Sequence, residues 1–252
     1  MLFEKQEVKH IVIAALVLGF VFGFDDGREY FNILPWLSNY LKVAVMSGLA
    51  LSIYLIAQKT LALRIGGNVE FRIWRIKRYG IFAGSVLKPK NIFGIKYIPL
   101  GVIIPLFVAI YSLGKAPFAI VGSSFASVNE SLRLGKKFPG LSDFETGKIL
   151  LAGPLILTIL ALILKSIEPS PLSILLTKIC LALAISNMLP LPNVDGVRVM
   201  FSSLPLYIFG LGFILASAYM VFYIDVMTTI ILSLILALIL LFLYMYYVAL
   251  RD

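Results

Sequence analysis

Two stretches of this sequence gather residue types able to do chemistry. The first is Asn187-Met188-Leu189-Pro190-Leu191-Pro192-Asn193-Val194-Asp195-Gly196. It ends an apolar run, Leu172 to Ser186, that is long enough to be most of a membrane span. Asn187, Asp195 and the prolines Pro190 and Pro192 are costly there: proline removes a backbone donor, and a carboxylate at membrane depth marks a function or a pathway. Such residues are tolerated where protein or a water-filled cavity surrounds them. The second stretch is Tyr54, Gln58, Lys59 and Thr60, at the end of another apolar run. Tyr54 and Gln58 are four residues apart, so they share a helix face. Taken alone, this second cluster reads as a membrane interface, with Tyr in the aromatic belt and Lys snorkelling to the headgroups.

Scarcity narrows the chemistry. His10 is the single histidine and Cys180 the single cysteine. The sequence therefore has no histidine pair for a metal, no internal disulfide and no thiolate cluster.

The elements that must position these residues belong to a membrane protein. The chain has 252 residues, 60% of them hydrophobic and 14% charged, with a mean hydropathy of +0.99. A soluble domain is nearer half apolar and about a quarter charged. Apolar runs predict spans at about 8–24, 40–62, 149–164, 172–186, 204–223 and 227–249. No small-residue cleavage site follows the first run, so it reads as a retained span. Its Gly19 and Gly23 form a small-xxx-small pair that eases helix packing. From Val69 to Lys77 apolar and charged residues alternate, the pattern of a half-buried strand. Ile92 to Ser112 is apolar enough to span, but Pro99, Gly101 and Pro105 interrupt it.

Charge sets the orientation. Thirteen basic residues against four acidic ones between Arg64 and Lys148 carry the whole net charge of +9. Basic loops stay cytoplasmic, which places this segment and both termini on the cytoplasmic side. Both flanks of 92–112 then lie on that side, so it reads as a re-entrant or broken element, paired with Tyr79 to Leu87. Topology and anionic headgroups account for the basic segment, and no nucleic-acid partner is expected.

Four segments, in order, resemble the site-2 protease family of intramembrane zinc metalloproteases, especially its archaeal branch. Asn187 to Gly196 resembles the family's Asn-x-x-Pro-x-Pro-x-x-Asp-Gly signature. Gly147-Lys148-Ile149-Leu150-Leu151-Ala152-Gly153-Pro154-Leu155 resembles its Gly-Lys-…-Ala-Gly-Pro-Leu segment. Ala62-Leu63-Arg64-Ile65-Gly66 with Glu70-Phe71-Arg72 resembles the run after its zinc-binding helix, and Ala116-Pro117 with Gly122-Ser123 loosely resembles a small-residue segment before the second core helix. The resemblance covers about residues 50 to 200. It implies an all-α integral membrane protein of about six transmembrane helices, with a β or re-entrant segment on the cytoplasmic side. The chain reads as a single domain, 1–252, with a site-2-protease-like core at about 40–200 and extra helices at 8–24, 204–223 and 227–249.

The family's His-Glu-x-x-His motif puts two histidines on one helix face around a zinc, with the Glu activating its water. Counting back from Arg64 and Glu70 puts those positions at Tyr54-Leu55-Ile56-Ala57-Gln58. Both histidines are replaced, and Leu55 stands where the family has its catalytic glutamate. Asp195 retains the family's third ligand, and Leu157 replaces an asparagine. One oxygen ligand does not hold a catalytic zinc, so no catalytic residue and no cofactor are expected: zinc in the family, none here. The resemblance thus implies a pseudoprotease that binds or regulates transmembrane segments of other membrane proteins in the cell membrane. Tyr54, Gln58, Lys59, Asn187, Pro190, Pro192 and Asp195 would form its cleft. A buried carboxylate without a metal needs another partner, and Tyr54, Gln58 or Lys59 is expected to supply it. The strand at Val69 to Lys77 offers main-chain groups for strand addition. The competing functions are an active intramembrane zinc metalloprotease and a small transporter or channel.

Overall fold

The computed structural model describes residues 3–25, 27, 32–77, 97–129, 140–167 and 170–250. Most of them are helical. In chain order the elements are α1 (Lys5–Gly23), α2 (Ile33–Ile65), β1 (Gly67–Ile73), β2 (Ile76–Lys77), β3 (Tyr97–Ile98), α3 (Leu100–Tyr111), β4 (Gly122–Val128), α4 (Asp143–Ser166), α5 (Pro171–Met188), α6 (Asp195–Ser202), α7 (Leu204–Met220) and α8 (Val226–Ala249). Five helices, α1, α2, α4, α5 and α8, are long and apolar enough to cross a membrane. The run expected at 204–223 forms α7, whose 17 residues make it a shorter apolar helix.

Local chemistry explains the helix ends. Ser142 caps α4 by accepting from the Glu145 amide, and Glu145 returns the bond to Ser142, which satisfies two orphan donors at once. Ser170 caps α5 in the same reciprocal way with Ser173, and Pro171 fills the first helical position. Gly66 stops α2 in the left-handed region, φ 91, with its amide on Ala62 and Leu63 carbonyls, a conformation few residues but glycine adopt. α2 starts at Ile33, ahead of the expected 40, because Pro35 falls in its first turn where no amide is needed.

The strand expected from Val69 to Lys77 is broken at Trp74 and Arg75: its last two residues form β2, paired with β3, and its first part is β1, with Val69 and Phe71 buried and Asn68 exposed. Its partner is β4, antiparallel from Gly67↔Val128 to Ile73↔Gly122. The segment expected to re-enter becomes α3, at twelve residues about 18 Å long and too short to span. Its start and the end of its return path close on one residue: the Trp74 amide donates to the Val121 carbonyl at 2.9 Å, and the Trp74 carbonyl accepts from Gly101 at 2.9 Å. At the far end, a side chain added at Gly114 would meet Asp25 at 3.3 Å, beside the C-terminal end of α1. The non-helical return is buried at Ala119, Ile120 and Val121, and the Ala119 amide donates to Ser186 Oγ on α5 at 3.1 Å. The irregular backbone at 119–121 is thus enclosed by protein, while Lys115, Ala116 and Pro117 before it are exposed. The pairing expected with Tyr79 to Leu87 lies outside the described residues.

The main core joins α1, α2, α4, α5 and α7 through Leu18, Leu51, Leu55, Leu150, Leu157, Ile179, Leu183 and Ile214. The end of α2, the start of α6 and the β1–β4 ribbon meet beside it.

Candidate functional site

The site forms where α6 begins. Asn193 adopts φ 62, a left-handed turn that asparagine tolerates, and directs the chain into α6. Gly196 is required by close approach: a Cβ there would collide with the Met188 and Leu189 backbone. The Tyr207 hydroxyl donates to the Met188 carbonyl at 3.0 Å, and the Trp74 indole donates to the Pro192 carbonyl at 2.9 Å. With the loop pinned at both ends, Asp195 points inward, 1% exposed.

Asp195 is bound from two sides. Its Oδ2 accepts from the Tyr54 hydroxyl at 2.6 Å and from Gln58 Nε2 at 3.1 Å. Its Oδ1 accepts from the Ser124 amide of β4 at 2.8 Å. Gln58 Nε2 also donates to the Leu150 carbonyl at 2.9 Å. A carboxylate and a carbonyl both need a donor, so the Gln58 amide nitrogen must face them, leaving its Oε1 buried without a partner. The Tyr54 ring lies on Gly153, where an added Cβ would come within 2.6 Å of it. The glycine of the 147–155 segment therefore makes room for the tyrosine of α2. A cavity of about 10 Å³ opens beside Tyr54, Asn187 and Asp195, room for about one water molecule.

The remaining expected cleft residues bond to other partners. Lys59 pairs with Glu7 of α1 at 2.6 Å, in a buried contact, rather than with Asp195. Tyr54 and Lys59 are both buried, so neither sits as an interfacial anchor. Asn187 donates to the Leu183 carbonyl within its own helix at 3.0 Å and borders the cavity. Pro190 and Pro192 are exposed; Pro192 contributes its carbonyl to Trp74. Leu55 and Leu157 are core residues, each 0% exposed.

The residues not anticipated are those that act on backbone. Arg198, one turn after Asp195, donates to the Ser124 carbonyl and lies 4.1 Å from the centre of the Phe125 ring. Arg72 approaches the same ring at 5.4 Å and forms a two-bond pair with Glu70, at 3.0 and 2.6 Å. The hydrogen bond from Arg72 holds the Glu70 carboxylate below its ordinary range. Glu7 Oε1 accepts from the Phe71 amide at 3.0 Å, and His10 Nδ1 lies 3.3 Å from the Phe71 carbonyl.

A scan against protein-family models finds no match, and searches of curated proteins and of solved structures find none either.

The zinc that the resemblance implies for the family does not fit these residues. Positions 54 and 58 present an O–H and an N–H to the carboxylate, where a metal needs lone pairs. Both Asp195 oxygens already accept hydrogen bonds. Among the described residues no three His, Cys, Asp or Glu side chains converge. The arrangement can hold a buried carboxylate in place and tie α2, α4, α6 and β4 together. Leu55 offers no proton acceptor beside it.

Proposed function

We propose that this chain is a catalytically inactive, site-2-protease-like membrane protein that binds or regulates transmembrane segments of other membrane proteins. The observation that carries the reading is the contact of Tyr54 and Gln58 with Asp195. Positions that the motif register assigns to two zinc ligands donate instead to the position assigned to the third. Polar donors thus bridge the gap between α2 and α6 that a metal bridges in the family. The β1–β4 ribbon next to this site supplies strand edges against which an unwound segment would be read through its main chain. In this reading the basic segment 64–148 and both termini face the cytoplasm, and the lipid bilayer surrounds the bundle.

Restoration tests the register and the function together. The triple variant Tyr54→His/Leu55→Glu/Gln58→His is expected to take up about one zinc per chain in a manner lost with Asp195→Ala, as three protein ligands suffice. Wild-type protein is expected to take up none. Stoichiometric zinc in wild-type protein that disappears with Asp195→Ala would overturn the inactive reading in favour of a metalloprotease. Crosslinking from position 54 or 58 in native membranes should capture transmembrane segments of other proteins.

A further inference from the structure

The two faces of the β1–β4 ribbon differ in kind. Phe71 and Ser124, paired across it, are buried. Glu70, Arg72 and Phe125 alternate with them and share the outer face, since opposed residues, and those two apart along a strand, lie on one side of a sheet. Phe125 is 36% exposed and the Arg72 side chain 42%. Arg198 of α6 joins this face. Its guanidinium carbon stands 4.1 Å from the centre of the Phe125 ring, and that of Arg72 stands 5.4 Å from the same centre. Two like charges thus lean on one exposed ring.

Their partners do not answer both charges. Glu70 takes two bonds from Arg72. Arg198 spends one of its five N–H groups on the neutral Ser124 carbonyl and bonds to no carboxylate among the described residues. Asp195, one turn away, is buried, with both oxygens engaged by Tyr54, Gln58 and Ser124.

Depth says what meets this face. Trp36 and Tyr40 stack near the start of α2, as aromatic residues do at a membrane interface. About 20 helical residues cross about 30 Å of hydrocarbon, so the opposite interface falls at about residues 56–60. The exposed side of α2 agrees: Val45, Leu49 and Ile56 are apolar, whereas Thr60 and Arg64 are polar. Gln58 binds Asp195, and Asp195 binds the Ser124 amide. Phe125, Arg72 and Arg198 therefore lie at that same level, the layer of lipid phosphates.

We propose that Arg72, Arg198 and Phe125 form a site for the headgroup of an anionic phospholipid. A phosphodiester has two unesterified oxygens, one for each guanidinium fork, and the ring is left to the glycerol and first acyl carbons. Its single negative charge answers the one guanidinium that no carboxylate pairs. A zwitterionic choline head would bring its own ammonium against the same two cations. The proposal concerns the outer face of the ribbon and is independent of the binding of transmembrane segments.

The test is lipid titration of full-length protein in micelles, read by native mass spectrometry, with phosphatidylglycerol, phosphatidylcholine and glycerol 3-phosphate as probes. One phosphatidylglycerol should bind about tenfold more tightly than phosphatidylcholine, and excess glycerol 3-phosphate should not displace it. Arg198→Gln should weaken phosphatidylglycerol about fivefold. So should the double variant Glu70→Gln/Arg72→Gln, which removes a fork without changing net charge. Lys148→Gln takes a cation from a different ring, that of Phe144, and should leave the affinity within about twofold. Arg198→Gln also loses a bond to β4; if it does not fold, the double variant leaves α6 untouched and carries the comparison. An equal loss in Lys148→Gln means a diffuse field of charge, and equal affinity for phosphatidylcholine means no headgroup selection. Displacement by glycerol 3-phosphate means a soluble phosphate ligand. Each of these overturns the proposal, as does full affinity in the double variant.

Discussion

The Tyr54 hydroxyl reaches Asp195 at 2.6 Å from a ring that is 2% exposed. Tyr54→Phe keeps the ring and removes one of three donors to a buried carboxylate. It should cost about 1–3 kcal/mol, read as a lower unfolding midpoint in micelles. Gly153→Ala should cost a similar amount by pushing the ring away, about 1–3 kcal/mol. The penalty should shrink in a Tyr54→Ala background, because the two changes share one contact. Glu70 responds to pH. Its folded pKa is lowered by Arg72, so its contribution is complete above the ordinary glutamate range and is lost as pH falls through the folded value. The pair is partly exposed and worth about 0.5 kcal/mol; Glu70→Gln should flatten the acid limb of unfolding midpoint against pH by that amount. At this scale Tyr54, Gln58 and Asp195 stand out in the sequence as polar residues in apolar runs, but spacing alone reads the first two as a membrane interface; it was the register of the resemblance that set them opposite Asp195. Lys59 shares their neighbourhood and turns instead to Glu7. Glu7, His10 and Arg198 were not legible, because a side chain bonded to distant backbone leaves no pattern in its own segment.

Among the elements, the long helices declared themselves by apolar length, whereas the short α6 did not; alternation marked β1 but ran on past its end at Ile73 to Lys77. β4 did not: Gly122-Ser123-Ser124-Phe125-Ala126-Ser127-Val128 is mostly small, with no alternation to mark it. Its strand form follows from pairing with β1 and from the Ser124 bonds to α6. The segment 92–112 was legible as an interrupted span, while the closure of 101–121 on both sides of Trp74 was not, because that closure is made by backbone groups. Helix ends are local and therefore testable singly. Ser142→Ala removes the α4 cap and should lower stability by about 1 kcal/mol. Hydrogen exchange should quicken in the first turn of α4 and leave α5 unchanged.

At the scale of the molecule, α8 stands apart. Within its most apolar stretch only 17% is buried, through Thr229, Ser233 and Ala237, packed mainly against α7, and its other faces are exposed. Ala237→Leu should overpack that seam at about 1–3 kcal/mol. Leu238→Ala, on the exposed face, should stay within about 0.5 kcal/mol. Unfolding in nanodiscs distinguishes the two.

The rung formed by Phe71 and Ser124 has a mechanical meaning as well. It is the place where α1, through Glu7 and His10, and α6, through Asp195 and Arg198, grip the same ladder from opposite sides. The first turn of α1 is thereby joined, through this pair of residues, to the carboxylate that Tyr54 holds. Glu7 also reaches α2 directly through Lys59, so residues 7 and 54 are joined by two routes, one across the ribbon and one along α2 itself.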